Sequence, residues 1–206
     1  MKLGLILECP IEGTDHQVYE YVVQQLCPQL EIIVEGHRNK KLMIDNCGKT
    51  AKLLLKKCDV VAIIWDLMPP WEKKRRGKRR KEPCRHNDIV KIQTNLENAK
   101  VNLSKVKLIC IEPELEGWII VDGSALTKYK KEIVSPHPVK KFNNVKQLNN
   151  SDDSKKRISK YLKQKYNKIV EAIKIVKHFD NFDKIAKKHT SFCRLKKFIE
   201  ELSSCP

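Results

Sequence analysis

LGLIL (Leu3–Leu7), closed by Glu8, is the stretch on which the fold turns. An unbroken apolar run this short, ended by an acid, reads as a strand buried on both faces. Three similar runs follow. LEIIV (Leu30–Val34) is a second strand, VVAIIW after Asp59 a third that stops at Asp66, and VKLICI (Val106–Ile111) a fourth, followed by Glu112. The segments between them carry helical spacing. Thr14 or Asp15 can cap a helix that runs to Cys27 with Val18, Val22 and Leu26 on one side. Met43, Cys47, Ala51, Leu54, Leu55 and Cys58 mark a second helix, and Ile89, Ile92, Leu96 and Ala99 a third. Strands that alternate with helices predict an α/β fold, a parallel sheet of about four strands joined by right-handed crossovers.

Past the fourth strand the pattern changes. Pro113 suits the first position of a helix bearing Leu115, Trp118 and Ile119. No strand is predicted after Gly123, and 134–153, rich in Pro, Asn, Ser and Asp, reads as a loop. One long helix is expected from Lys155 to His178, with Ile158, Leu162, Tyr166, Ile169, Ile173 and Val176 on one face. A last helix carries Phe192, Leu195, Phe198, Ile199 and Leu202. The expected organisation is an α/β domain over 1–125 and a basic helical extension over 126–206 packed on it.

The chain has 206 residues and a formal net charge of +17, unevenly spread. Residues 1–72 hold 8 basic and 10 acidic side chains, whereas 128–197 hold 21 basic and 6 acidic. Between them KKRRGKRRK places Lys73, Lys74, Arg75, Arg76, Lys78, Arg79, Arg80 and Lys81 in a single run inside an insert at 72–85. A polyanion is the expected partner, with DNA or RNA the default. A solvated loop is the plainer reading of the run. As a nucleic-acid-binding arm it would position phosphates without reading bases. No stretch approaches the ~20 apolar residues of a membrane span. An anionic membrane surface is the rival partner for the charge, but the apolar faces of the tail suit packing on a core, so no membrane partner is expected. The N-terminal run lacks a signal-peptide cleavage site. The 8 cysteines form no CxxC pair, and Cys84-x-His86 has no second pair to complete a zinc site. Reduced thiols and a cytoplasmic location follow as expectations. Neither GxGxxG nor a P-loop occurs, which disfavours a nucleotide cofactor.

Ligands of an open parallel sheet gather beyond the carboxyl ends of its strands. Here the first strand ends at Glu8, the third at Asp66, and the fourth is followed by Glu112, Glu114 and Glu116. Each has a plain explanation: a strand end in solvent, a turn cap, carboxylates favoured by a helix dipole. Together at one edge they suit a hard cation such as Mg²⁺ (or Mn²⁺) held by carboxylates and water. With phosphate-attracting Lys and Arg around them, the chemistry suggested is metal-assisted phosphodiester hydrolysis.

LILECPIEGTDHQVYEYV (Leu5–Val22), VVAIIWDLMPP (Val60–Pro70) and CIEPELEGWIIVD (Cys110–Asp122) resemble the Toprim domain of topoisomerases, primases and the overcoming-lysogenization-defect nucleases. The likeness spans roughly the first 125 residues. KHTSFCRLKKFIEEL (Lys188–Leu202) is similar to the tail of small uncharacterised bacterial members. The resemblance implies a Toprim-like, Rossmann-like fold. It implies Glu8, Asp66 and Glu116 as catalytic residues and Glu8, Glu12, Asp66, Glu114 and Glu116 as metal ligands, with Asp15 just beyond Glu12. It also implies Mg²⁺-dependent cutting of DNA or RNA, a setting in anti-phage defence or on mobile elements, and a possible partner ATPase. Met68 departs from the family pattern, standing where a second aspartate is usual. That departure bears on catalysis more than on fold, and it favours the alternative of a nucleic-acid-binding or adaptor module with a degenerate site.

Overall fold

A computed structural model of the chain describes residues 1–11, 13–68, 84–143 and 151–203. Its strands are β1 (Lys2–Leu7), β2 (Glu31–Gly36), β3 (Val60–Asp66) and β4 (Val106–Ile111). They form one sheet in the order β2-β1-β3-β4 with every pairing parallel. The α/β expectation holds.

The strand order reverses between β1 and β3, so the carboxyl ends of these two strands flank the topological switch point of the sheet. Leu7 pairs with Ile64 and Asp66 with Ile111. Glu8 and Glu112, each one residue past its strand, therefore share the rim with Asp66.

Helices α1 (Thr14–Leu26), α2 (Lys40–Leu54) and α3 (Arg85–Asn98) link the strands. The pleat divides the core. Ile6, Val61, Ile63 and Trp65 pack with Met43, Ile44, Cys47 and Ala51 of α2 and Ile92 and Leu96 of α3. The two helices run close together because Gly48 has no side chain: a Cβ there would lie 2.2 Å from the Asn95 carbonyl oxygen. On the other face Leu3, Leu5, Leu7, Ala62, Ile64 and Ile109 join Val18 and Val22 of α1 and apolar residues of the described C-terminal part of the chain.

That C-terminal part consists of α4 (Glu116–Val121), α5 (Gly123–Val134), α6 (Ser151–Leu162), α7 (Lys168–Val176), α8 (Phe182–Lys188) and α9 (Thr190–Ser203). Trp118, Ile158, Leu162, Ile175, Phe192, Leu195 and Ile199 join the same apolar cluster as the sheet residues.

Three expectations are corrected. The single helix from Lys155 to His178 is two, α6 and α7. The break falls at Lys163, whose φ of 61° no helix accepts, and Asn167 restarts the chain by accepting a hydrogen bond from Ile169 N at 3.1 Å. The apolar stripe shifts across the break: Ile169, expected on the buried face, is 76% exposed, and α7 turns Ala172, Ile175 and Val176 to the core. Pro113 does not begin a helix; α4 starts at Glu116, and the Pro113 carbonyl instead accepts from Met68 N at 3.0 Å. Cys58 lies beyond the end of α2, in the turn leading to β3.

Candidate functional site

The carboxyl rim of β1, β3 and β4 gathers the acids as the topology requires. Asp66 points towards the α1 and α7 face, and Glu8, one residue past β1, feels Lys40 of α2 as well as Asp15 of α1 and Lys168 of α7. Both lie at the rim, where the Glu8 charge acts on Asp66 and the Asp66 backbone N–H on Glu8. Asp66 is 4% exposed. Its Oδ1 accepts the Tyr19 hydroxyl hydrogen bond at 3.0 Å, and its Oδ2 lies 3.6 Å from the Lys168 ammonium.

Lys168 is the feature that sequence reading missed. It opens α7, far along the chain, and its Nζ reaches Asp15 Oδ2 at 3.0 Å, Asp66 Oδ2 at 3.6 Å and Glu116 Oε2 at 3.8 Å. Glu116 is fully buried, and neither of its carboxylate oxygens has a hydrogen-bond partner. Glu114 is buried and ion-paired with Lys155 of α6. Glu112 is half-buried and turns away from the others, towards Arg85 at 3.0 Å and Arg194 at 3.1 Å. Of the three glutamates after β4, Glu114 and Glu116 thus face inward.

Among its neighbours, Lys40 exerts the strongest charge attraction on Glu8. This lysine is itself buried, donating to Leu67 O at 2.7 Å and lying 3.5 Å from Asp88 Oδ2. Asp88 also accepts from Trp65 Nε1 at 3.1 Å. Trp65 and Trp118 are core residues. Glu12 and the run Lys73–Lys81 lie outside the described residues, as does Trp71.

The electrostatics follow from burial. Removal from water pushes the Glu8 carboxyl up to about 7, against the pull of Lys40 and of the Asp66 backbone N–H. Burial likewise raises Glu116 to about 7, opposed by Lys168 and Lys155. Asp66 is raised well above the usual carboxylate range by burial and by Asp15 and Glu8, with Lys168 opposing. Burial works against the charge on Lys168, yet Asp66, Glu116 and Asp15 together hold it firmly protonated. The Tyr166 hydroxyl, buried beside this group, has no hydrogen-bond partner and is pushed up by burial and by Glu116.

Six acids, Glu8, Asp15, Asp66, Asp88, Glu114 and Glu116, therefore surround three lysines, Lys40, Lys155 and Lys168. Unpartnered carboxylate oxygens remain on Glu8, Asp15 and Glu116. Oxygen donors with surplus negative charge suit Mg²⁺ or Mn²⁺. Among the described residues, however, no three His, Cys, Asp or Glu side chains already stand as a metal cage. The space between three of them, Asp15, Asp66 and Glu116, is taken by the Lys168 ammonium.

Comparison with protein-family models, with curated proteins and with solved structures finds no match to this chain. The Toprim likeness accordingly rests on the wording of the sequence. No helix among the described residues is long and apolar enough to cross a membrane.

Proposed function

We propose that the chain is a Mg²⁺-dependent hydrolase of nucleic-acid phosphodiesters, of Toprim type. One observation carries the reading: at the switch point of a parallel sheet six acids converge on three lysines, and four of the acids (Asp66, Asp88, Glu114 and Glu116) are buried but only one of the lysines, Lys40. Buried charge is tolerated when it is paired or coordinates a metal. A surplus of this size asks for protons or for a divalent cation.

Glu8, Asp66 and Glu116 are the residues proposed to hold the ion, with Asp15 beside them. Bound there, Mg²⁺ supplies Lewis-acid activation of a phosphate ester and of water. Tyr19 fixes the rotamer of Asp66 through its hydroxyl, and Lys40 keeps the Glu8 side of the rim from accumulating unopposed charge. Arg85 and Arg194, meeting at Glu112 on the same rim, and the basic run from Lys73 to Lys81 in the sequence are the groups proposed to hold phosphates of the substrate backbone.

Lys168 favours a second reading. A lysine lodged among three carboxylates is also what a module that binds nucleic acid without cutting it would contain. One experiment separates the two. The protein is incubated with plasmid and with DNA and RNA oligonucleotides in Mg²⁺, Mn²⁺ or EDTA, alongside Glu8→Gln and Asp66→Asn variants. Metal-dependent cutting lost in both variants supports the hydrolase. Intact substrate with a salt-sensitive gel shift supports the binding module.

A further inference from the structure

We infer that Lys168 is a displaceable internal counter-ion, a latch that holds the acidic rim closed until a divalent cation replaces its ammonium. The inference rests on the metal reading above and adds a regulatory element to it.

The position of Lys168 is not explained by its helix. It is the first residue of α7, where a positive side chain opposes the helix dipole. Nor is it explained by full burial, because its side chain is 26% exposed. What holds it is Asp15 at 3.0 Å, Asp66 at 3.6 Å and Glu116 at 3.8 Å, from α1, β3 and α4 respectively.

Only the first of these distances is that of a direct hydrogen bond. At the other two the ammonium balances charge without satisfying the oxygens. Both Glu116 oxygens and Asp15 Oδ1 are left without partners, and so is the adjoining Tyr166 hydroxyl. The lysine therefore half-fills a site that an oxygen-seeking cation with a water shell would fill better.

The backbone of α7 need not move for the exchange. Asn167 caps the helix through Ile169 N, Glu171 Oε2 accepts from Asn167 N at 2.6 Å, and Thr14 Oγ1 donates to Ile169 O at 2.8 Å. With its base anchored this way, the long flexible stem can swing the ammonium out through its exposed side. Lys168 released in this manner lies beside the rim, available to a substrate phosphate.

Mn²⁺ binding is measured by calorimetry on the full chain, on Lys168→Met and on Lys165→Met, which removes the same charge from an exposed position nearby. In parallel, acylation of Lys168 in the unaltered protein is followed by peptide mass spectrometry with and without Mn²⁺. The expected results are affinity about tenfold or more tighter in Lys168→Met only, since one unit charge a few ångströms away is removed, and Lys168 acylation that rises when Mn²⁺ is added. Mn²⁺ binding of equal strength in all three proteins, or acylation unchanged by bound Mn²⁺, overturns the latch and leaves the metal reading standing. No Mn²⁺ binding by any of the three overturns both. The acylation measurement decides the matter if Lys168→Met does not fold.

Discussion

Tyr19 donates its hydroxyl hydrogen bond to Oδ1 of Asp66 at 3.0 Å, across a fully packed interface between α1 and the end of β3. The bond leaves Oδ2 facing Lys168 and fixes one rotamer of a carboxylate that has almost no contact with water. Burial and the neighbouring acids raise the tyrosine's own pKa, so it stays a donor. Removing the hydroxyl with Tyr19→Phe keeps the ring contact to Trp118 but strips Asp66 of its donor. The expected loss of stability is about 1–3 kcal/mol, the penalty of an unsatisfied buried acceptor. Urea unfolding measures it, and a midpoint equal to that of the unaltered protein would count against the role assigned to Tyr19.

Glu116 gives the protein a pH dependence whose sign can be worked out. Its carboxyl is raised by burial from 4.5 to about 7, so between those values the folded state binds a proton that the unfolded state does not. Stability from this group is full below about pH 4.5 and is lost as pH rises through about 7. Glu116→Gln, which keeps the shape without the charge, removes that dependence. Without divalent metal, the variant should gain stability over the unaltered protein as pH rises from about 4.5 to about 7, and the gain should level off above that. Parallel stability curves for the two would show that Glu116 does not titrate in this range. Comparing the pair matters because His189, held near 3 by burial and by Arg194, contributes with the opposite sign in acid.

The sheet and the rim could be read from sequence because each rests on local wording. Leu3–Leu7 and Val60–Trp65 are apolar without interruption because both faces of their strands are covered, and parallel topology then puts Glu8 and Asp66 at one edge. Lys168 could not be read in the same way. Nothing local separates it from the other lysines of the tail, and its partners lie at positions 15, 66 and 116. A weak signal did exist: Asn167 at a helix start followed directly by Lys168, a charge placed against the dipole. Glu112 and Glu114 were equally indistinct beforehand, because their division depends on Arg194 and Lys155, which reach the rim from helices distant in sequence.

The C-terminal helices are part of the fold itself, which leads to a prediction about truncation. Ile158, Leu162, Ile175, Phe192, Leu195 and Ile199 are buried in one cluster with Leu5, Leu7 and Ile64 of the sheet. A chain ending at Asn143 would expose that sheet face and lose both lysines that balance Glu114 and Glu116. Each large side chain stripped of its cover forfeits about 1.5–3 kcal/mol, and the losses together exceed the stability of an ordinary domain. The truncated chain should show no cooperative unfolding transition by circular dichroism. A sharp thermal transition in that fragment would mean that 1–143 folds independently.

Gly117 and His189 provide a test of how tightly the tail is seated behind the rim. Gly117 follows Glu116 in α4, and a Cβ on it would lie 2.5 Å from His189 Nε2. His189 cannot easily give way. It is 1% exposed, and its Nδ1 shares a hydrogen bond at 3.1 Å with Ser191 Oγ, which accepts from Trp118 Nε1 at 3.2 Å. Gly117→Ala should therefore destabilise by about 1–3 kcal/mol through overpacking, despite the better helix propensity of alanine. His189→Ala opens the space that the new methyl needs, so the double variant should be more stable than the sum of the two single losses predicts. A coupling of at least about 0.5 kcal/mol in a double-mutant cycle is expected for side chains in contact. Because α4 carries Glu116 on the preceding residue, Gly117→Ala should also weaken Mn²⁺ binding, and His189→Ala should restore part of it. Additive stabilities with unchanged Mn²⁺ affinity would show that α4 can shift without disturbing the acids, and the close seating of the tail would then have no bearing on the site.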